Sequence, residues 1–338
     1  MRPAFRALAA VAFVVLGLGA CDGRPSRGDG GTGGAGDPPA AGVVPTSTTD
    51  APPSRCDPAR ARAGSFAGAL TFGGLERRYA VHVPTGYDGS VAVPLVFSFH
   101  GHGSNAGIQL AYSAIAPVAD REGFLVVAPE GQGSPPHFTL LGATPTEADD
   151  VDFTLALLDE LTTTLCIDER RVYTMGMSNG GALSAVLACR AGDRFAAAGA
   201  VAAVIHLPQP CADAERVAPL AAMMGTADPV VPYAGGRVNC CGNPEIPATE
   251  DTMASFARAA GCARSPTTSR PVPTVEHRTW TGCRAGAAVE LYVIEGGGHT
   301  WPGSPFDASG RGLGAGTSDL PATESLWAFF ERHQLPAT

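Results

Sequence analysis

The 338-residue sequence predicts an α/β fold, a mostly parallel central sheet with helices on both faces. Two observations carry that expectation. Short apolar runs bounded by turn residues, the pattern of strands buried on both sides, alternate with segments whose apolar residues recur at helical spacing. Hydrophobic residues make up 45% of the chain and charged residues 16%, enough to bury a full core and to exclude wholesale disorder. Taken in order, residues 79–83 alternate like a strand, and residues 95–99 and 124–128 read as buried strands with a helix over 108–119 between them. A stronger helix follows over 151–165, with Phe153, Leu157, Leu158 and Leu161 on one face. Then come a strand at 172–175, a helix at 179–189, strands at 196–204 and 220–224, a helix at 252–260, a strand at 289–294 and a closing helix at 324–333. In such a fold the chemistry is expected at the carboxyl ends of the strands.

Before this pattern begins, residues 1–20 carry Arg2 and Arg6 and then an apolar and small-residue run to Ala20. That is the design of a secretory signal, and the run is shorter than the roughly 20 residues a spanning helix needs. Leu18-Gly19-Ala20-Cys21 resembles the bacterial lipoprotein box, in which Cys21 is lipidated and becomes the mature N-terminus. Ordinary cleavage near Ala20, leaving Cys21 free, is the alternative. Residues 21–55 are Gly, Pro, Ser and Thr with almost no large apolar side chain and read as a disordered tether. Residues 56–338 read as one domain. The expectation is an exported chain, secreted or held at the cell surface, that meets a membrane only through an N-terminal lipid.

The 23 basic residues, all arginine, face 32 acidic ones for a net charge of -9. No basic stripe exists to neutralise phosphates, so no nucleic-acid partner is expected. Nine cysteines stand at 21, 56, 166, 189, 211, 240, 241, 262 and 283; setting Cys21 aside leaves an even number, and in an exported chain disulfides are the expected fate. No Cys-x-x-Cys occurs and Cys240-Cys241 has no His at ligand spacing, so the sequence supports neither a metal site nor a redox pair.

One junction carries chemistry. The strand at 172–175 runs into Gly176-Met177-Ser178-Asn179-Gly180-Gly181 and then into a helix: strand, G-x-S-x-G, helix. The glycines let a serine occupy a sharp turn with its Oγ exposed and a helix N-terminus behind it, which favours developing negative charge. Ser178 is therefore the candidate nucleophile. It needs a base, and His299 follows the apolar strand 289–294 in a Gly-rich loop, whereas His82, His137, His206, His277 and His333 stand in no motif. In this fold the acid lies between serine and histidine in the sequence; Asp228 follows the strand 220–224, while Asp193, Asp213 and Glu245 follow no buried strand. The oxyanion donors are expected to be the backbone N–H of Asn179 and that of His102, in the loop His100-Gly101-His102-Gly103; the side chains of His100 and His102 are read as structural. Trp301 and Tyr233, next to the base and acid loops, are candidate substrate contacts.

These residues resemble the poly(3-hydroxybutyrate) depolymerase and feruloyl esterase group of α/β-hydrolases. The resemblance spans about residues 79–333 and rests on His100-Gly101, Ala128-Pro129-Glu130-Gly131, Asp149-Asp150-Val151, the Ser178 turn, Gly225-Thr226-Ala227-Asp228-Pro229-Val230-Val231-Pro232-Tyr233 and Gly297-Gly298-His299-Thr300-Trp301-Pro302-Gly303. It implies an α/β-hydrolase fold and hydrolysis of carboxylic esters through an acyl-enzyme, with Ser178, Asp228 and His299 as triad, no cofactor, and an ester substrate such as a polyester or a feruloylated polysaccharide. The family pattern also implies a disulfide between Cys262 and Cys283. Two departures are visible: residues 132–146 lack the tryptophan many relatives carry, with Phe138 nearest in place, and Met223-Met224-Gly225 stands where relatives often have His-Gly. The short interval between the strands at 196–204 and 220–224 leaves no room for a large lid and predicts an open cleft. A serine peptidase and an inactive surface binding module of the same fold are the alternatives; no propeller precedes the motif, and the complete set of three residues speaks against a relic.

Overall fold

Strands that must be apolar on both faces form the middle of the sheet, and strands that face water form its edges. The structure, a computed structural model, describes residues 56–58, 61, 64–140, 149–203, 211, 214–307 and 309–336. The expected signal, the tether and Cys21 lie outside the described residues. The chain runs β1 (Gly64–Phe72), β2 (Leu75–Val83), β3 (Val93–Phe99), α1 (Ala106–Ser113), α2 (Ile115–Glu122), β4 (Leu125–Pro129), α3 (Asp150–Thr164), β5 (Ile167–Met177) and α4 (Asn179–Arg190). It continues through β6 (Ala197–Val201), β7 (Leu220–Gly225), β8 (Gly236–Arg237), β9 (Glu245–Ile246), α5 (Thr249–Ala259), β10 (Thr267–Val272), β11 (Val275–Trp280), β12 (Val289–Ile294) and α6 (Ala322–Phe330).

The main sheet has the order β1-β2-β4-β3-β5-β6-β7-β12-β11-β10. From β4 to β12 all neighbours are parallel, and the hairpins β1–β2 and β10–β11 add antiparallel edges. Side chains alternate between two layers, as the strand repeat requires. Leu95, Phe97 and Phe99 of β3 pack with Phe153 and Leu157 of α3 and Leu183 of α4. Val96 points the other way, into a cluster with Val118 of α2 and Phe329 and Phe330 of α6. Met253 and Phe256 of α5 cover Leu220, Ala222 and Met224 of β7 on the α3–α4 side. The expected sheet with helices on both faces is thus what the chain forms.

Two differences from the sequence reading have physical causes. The helix expected over 108–119 is broken at Ala114, which sits in the left-handed region at φ 48°. Pro117 has no N–H for the Ser113 carbonyl and its ring would clash with it in a continuous helix; Thr323 Oγ1 of α6 takes that carbonyl instead, a contact across more than half the chain. The hairpin β10–β11 escaped notice because β10 is exposed along almost its whole length and shows no apolar alternation; backbone pairing to β11 makes it a strand.

Cys56–Cys166, Cys189–Cys211 and Cys262–Cys283 are disulfide-bonded. Cys240 and Cys241 are the free cysteines among the described residues.

Candidate active site

Ser178 sits between β5 and α4 with φ 54° and ψ -117°, a strained conformation for a residue with a side chain. The flanking glycines make the turn possible: a Cβ on Gly176 would lie 2.5 Å from the Gly180 carbonyl atoms, and one on Gly180 would lie 2.3 Å from Phe99 O. Because the turn is so tight, Ser178 N–H still reaches Val201 O at 2.9 Å, and α4 begins immediately behind it with Ala182 N–H donating to Ser178 O. The loop after β3 passes directly beside the serine, since a Cβ on Gly101 would be 3.4 Å from Ser178 Cβ. Neither the His102 N–H nor the Asn179 N–H has a protein partner among the described residues, and Asn179 lies in the first turn of α4, where N–H groups have no intrahelical acceptor.

Parallel pairing from β5 through β6 and β7 to β12 brings the loops of Ser178, Asp228 and His299 to one edge of the sheet. Asp228 follows β7. Its Oδ1 accepts from Val230 N–H and Val231 N–H, both at 2.8 Å, which fixes the carboxylate plane. Its Oδ2 lies 2.8 Å from His299 Nδ1. An ionised carboxylate only accepts, so Nδ1 carries the proton and Nε2 presents a lone pair. Both side chains are buried, Asp228 7% and His299 6% exposed. The two loops are also tied to each other: Thr226 N–H donates to Ile294 O, Ala227 N–H to Gly297 O and Gly296 N–H to Thr226 Oγ1. No hydrogen bond joins Ser178 Oγ to His299 among the described residues.

The floor beside the serine is built around Phe138, the residue nearest the tryptophan position of relatives, by a side chain the sequence reading did not use. Asn179, noted there only for its backbone, clamps Phe138 with its side chain: Oδ1 accepts from Phe138 N–H at 2.7 Å and Nδ2 donates to Phe138 O at 3.0 Å. The Phe138 ring is buried against His100 and Phe99, with ring centroids 4.7 and 5.4 Å away. Next along the chain, Thr139 N–H donates to Asp150 Oδ2 at 2.6 Å, and Asp150 pairs with the fully buried Arg77. Burial pushes the Asp150 carboxyl up, and Arg77 opposes that shift. The Asp149-Asp150-Val151 motif and Phe138 were visible in the sequence, but nothing there joined them.

His100 is structural, as read: Nδ1 donates to Gly101 O at 2.7 Å and Nε2 accepts from Gly131 N–H at 2.9 Å, so the ring is neutral. Burial pulls its pKa down to about 4. Trp301 requires correction as a substrate contact. It is 1% exposed, with Nε1 donating to Thr323 Oγ1 at 3.1 Å, so its ring packs beneath the His299 loop and faces α6. Tyr233 is half-buried, its hydroxyl donating to Glu250 at 3.2 Å. His277 bonds Glu290 and stacks on Tyr292. Glu245 pairs with Arg237, neither it nor Asp193 bonds His299 among the described residues, and His206 and Asp213 lie outside those residues.

Comparison with known proteins places this arrangement. The prolyl oligopeptidase family model matches residues 110–217, a span that includes Ser178 but neither Asp228 nor His299. A putative esterase, NocK, of Nocardia uniformis subsp. tsuyamanensis is 30% identical over 290 residues, covering 80% of this chain and 83% of that protein. Feruloyl esterase B of Piromyces equi is 31% identical over 231 residues, 66% of this chain and 42% of that protein. Feruloyl esterase D of Neurospora crassa is 26% identical over 307 residues, covering 86% and 93%. Among solved structures, an acetyl xylan esterase from Aspergillus awamori superposes with a TM-score of 0.55 at 14% identity over 70% of this chain and 94% of that one, a likeness of fold. With its parallel sheet and the relatives it shares most of its length with, the chain belongs to the feruloyl esterase-like group of α/β-hydrolases and is a carboxylic ester hydrolase.

Proposed function

We propose that this chain is an exported serine esterase that cleaves esters of aromatic acids, such as feruloyl esters of plant polysaccharide, through an acyl-enzyme on Ser178. One observation carries the reading: the Asp228–His299 hydrogen bond at 2.8 Å stands at the same sheet edge as a serine held in a strained strand-to-helix turn. In this mechanism His299 Nε2 takes the Ser178 proton as Oγ attacks the ester carbonyl, and Asp228 stabilises the imidazolium that forms. The carbonyl oxygen becomes an oxyanion held by the His102 and Asn179 N–H groups. His299 returns the proton to the departing alcohol, and a water activated by the same base then hydrolyses the acyl-enzyme. Phe138, buried and clamped by Asn179, backs the site from within, and the half-buried Tyr233 offers an apolar face to the acyl group.

Three observations support the wider picture. The feruloyl esterases of Piromyces equi and Neurospora crassa are relatives, the disulfides of the described domain fit an oxidising compartment, and the short interval from β6 to β7 leaves no room for a large lid. Lipidation of Cys21 after a signal at residues 1–20, with residues 21–55 as a tether, belongs to the same proposal. Hydroxyalkanoate polyesters are the second substrate class, and the match to the prolyl oligopeptidase family keeps a peptidase as a third reading. The test is hydrolysis of methyl ferulate, a hydroxybutyrate oligomer and a chromogenic peptide side by side, with Ser178→Ala as control. Turnover of methyl ferulate that Ser178→Ala abolishes is the expected result. Preference for the oligomer or peptide overturns the substrate class, and activity surviving in Ser178→Ala overturns the nucleophile.

A further inference from the structure

Beside the acid loop lies a pair of sulfurs that the proposed ester hydrolysis does not use. Residues 240–243 form a tight turn in which Asn243 N–H donates to Cys240 O at 2.8 Å and Cys241 adopts φ 56°. Val238 N–H donates to Pro244 O, closing the loop, and the Cys240 side chain packs into the apolar cluster that also contains Val231 and Val238. The loop is wired to Asp228 by two bonds in series: Asn239 N–H donates to Val230 O at 2.8 Å, and Val230 N–H donates to Asp228 Oδ1 at 2.8 Å. Every other described cysteine is in a disulfide.

We propose that Cys240 and Cys241 close a disulfide between neighbouring residues, that closing it strains the loop behind Asp228, and that mild reduction opens it again. Formation needs a disulfide oxidant, such as oxidised glutathione or a disulfide oxidoreductase. Cys240 thiolate attacks one sulfur of the oxidant and expels its partner as a thiolate. Cys241, giving its proton to solvent, then attacks Cys240 Sγ and expels the second thiolate. Two electrons and two protons pass from the pair to the oxidant, which leaves as thiols. The roles follow from the contact between the two groups: the Cys241 thiol donates to Cys240 and draws its pKa down to about 7, while Cys241 itself is pushed up. Cys240 is therefore the first attacker and Cys241 the resolving thiol.

Adjacent Cα atoms stand about 3.8 Å apart across a trans peptide, closer than the roughly 4.4–6.8 Å usual for disulfides. The ring so formed is strained and Cys241 is exposed, so this bond opens before the three others. The dithiol holds Asp228 through Asn239 and Val230, so closing the ring distorts the turn next to Asn239 and through Val230 loosens that hold. The coupling to reactivity rests on the esterase reading; the bond itself does not.

Trypsin isolates the pair, because the peptide from Val238 to Arg258 contains Cys240, Cys241 and no other cysteine. The full-length protein is equilibrated with oxidised glutathione, alkylated with iodoacetamide and digested without reductant. The expected peptide is unalkylated and lighter than the dithiol by two hydrogens, and a graded series of reductant opens it before the other pairs. Two alkylated thiols, a glutathione adduct, or a link to Cys21 or to a second copy overturns the proposal. In parallel, the labelling rate of Ser178 by a fluorophosphonate falls when this pair closes and recovers on mild reduction. The double variant Cys240→Ser, Cys241→Ser loses that redox response. A rate indifferent to the pair's state, or a response that survives in the double variant, overturns the link to Asp228. If the serine takes no probe in any state, the esterase reading fails while the thiol map still decides the bond.

Discussion

Replacing Asp228 by Asn tests the proposed division of labour most directly, because the structure dictates which way the amide must lie. Oδ1 accepts two backbone N–H bonds at 2.8 Å, from Val230 and Val231. An amide nitrogen at that position would set donors against donors, so in Asp228→Asn the oxygen keeps the Oδ1 place and the NH₂ faces His299 Nδ1, 2.8 Å away. A donor there requires Nδ1 to accept, which moves the ring proton to Nε2, toward the serine. The base is then blocked without loss of volume or burial. Loss of this tautomer control costs about 10⁴-fold in kcat in a well-studied serine protease, or about 5 kcal/mol of transition-state stabilisation. The assay is steady-state hydrolysis of a chromogenic aryl acetate, with fluorophosphonate labelling of Ser178 and a urea unfolding curve on the same samples. We expect kcat to fall by about that factor with KM and the unfolding midpoint little changed. A loss smaller than about tenfold with an intact fold would show that Asp228 does not set the tautomer, and would refute the assignment.

Gly180→Ala should cost about 3 kcal/mol or more, because its Cβ would meet backbone atoms, Phe99 O at 2.3 Å and His100 O at 2.5 Å; a wild-type urea midpoint would contradict the packing described. Asn179→Ala leaves the buried Phe138 N–H and C=O unpaired, at about 1–3 kcal/mol each, but keeps the backbone donor. The urea midpoint should therefore fall while the folded protein still takes a fluorophosphonate, and an unchanged midpoint would count against the clamp. His100 holds its folded-state pKa at about 4 by burial, below its ordinary value of 6.5, so the unfolded chain binds its proton first as pH falls. Its contribution to stability is complete above about pH 6.5 and is lost toward about pH 4; His333, lowered in the same way, acts in the same direction. Urea midpoints across that range should fall, with a shallower fall in His100→Asn, and an unchanged slope in the variant would remove His100 from the account.

What the sequence determined is what short stretches must do by themselves. A serine between Gly176 and Gly180 at a strand-to-helix junction announces its turn because the steric demand is local. Buried parallel strands announce themselves because both faces are apolar, so Asp228 and His299 could be found as residues that follow β7 and β12. Tertiary structure decided whatever depends on residues distant in the chain. Thr323 takes the Ser113 carbonyl that Pro117 leaves without a donor, and the same Thr323 holds Trp301 under the His299 loop, away from the cleft where a sequence reading had put it. Asn179 meets Phe138 across a sequence gap that no periodicity spans. Cys240-Cys241, unremarkable as a motif, gains meaning only because Asn239 reaches Val230 beside the acid. Local sterics and apolar patterning act within a few residues and are written into the sequence; hydrogen bonds and packing between strand ends exist only once the sheet has brought those ends together.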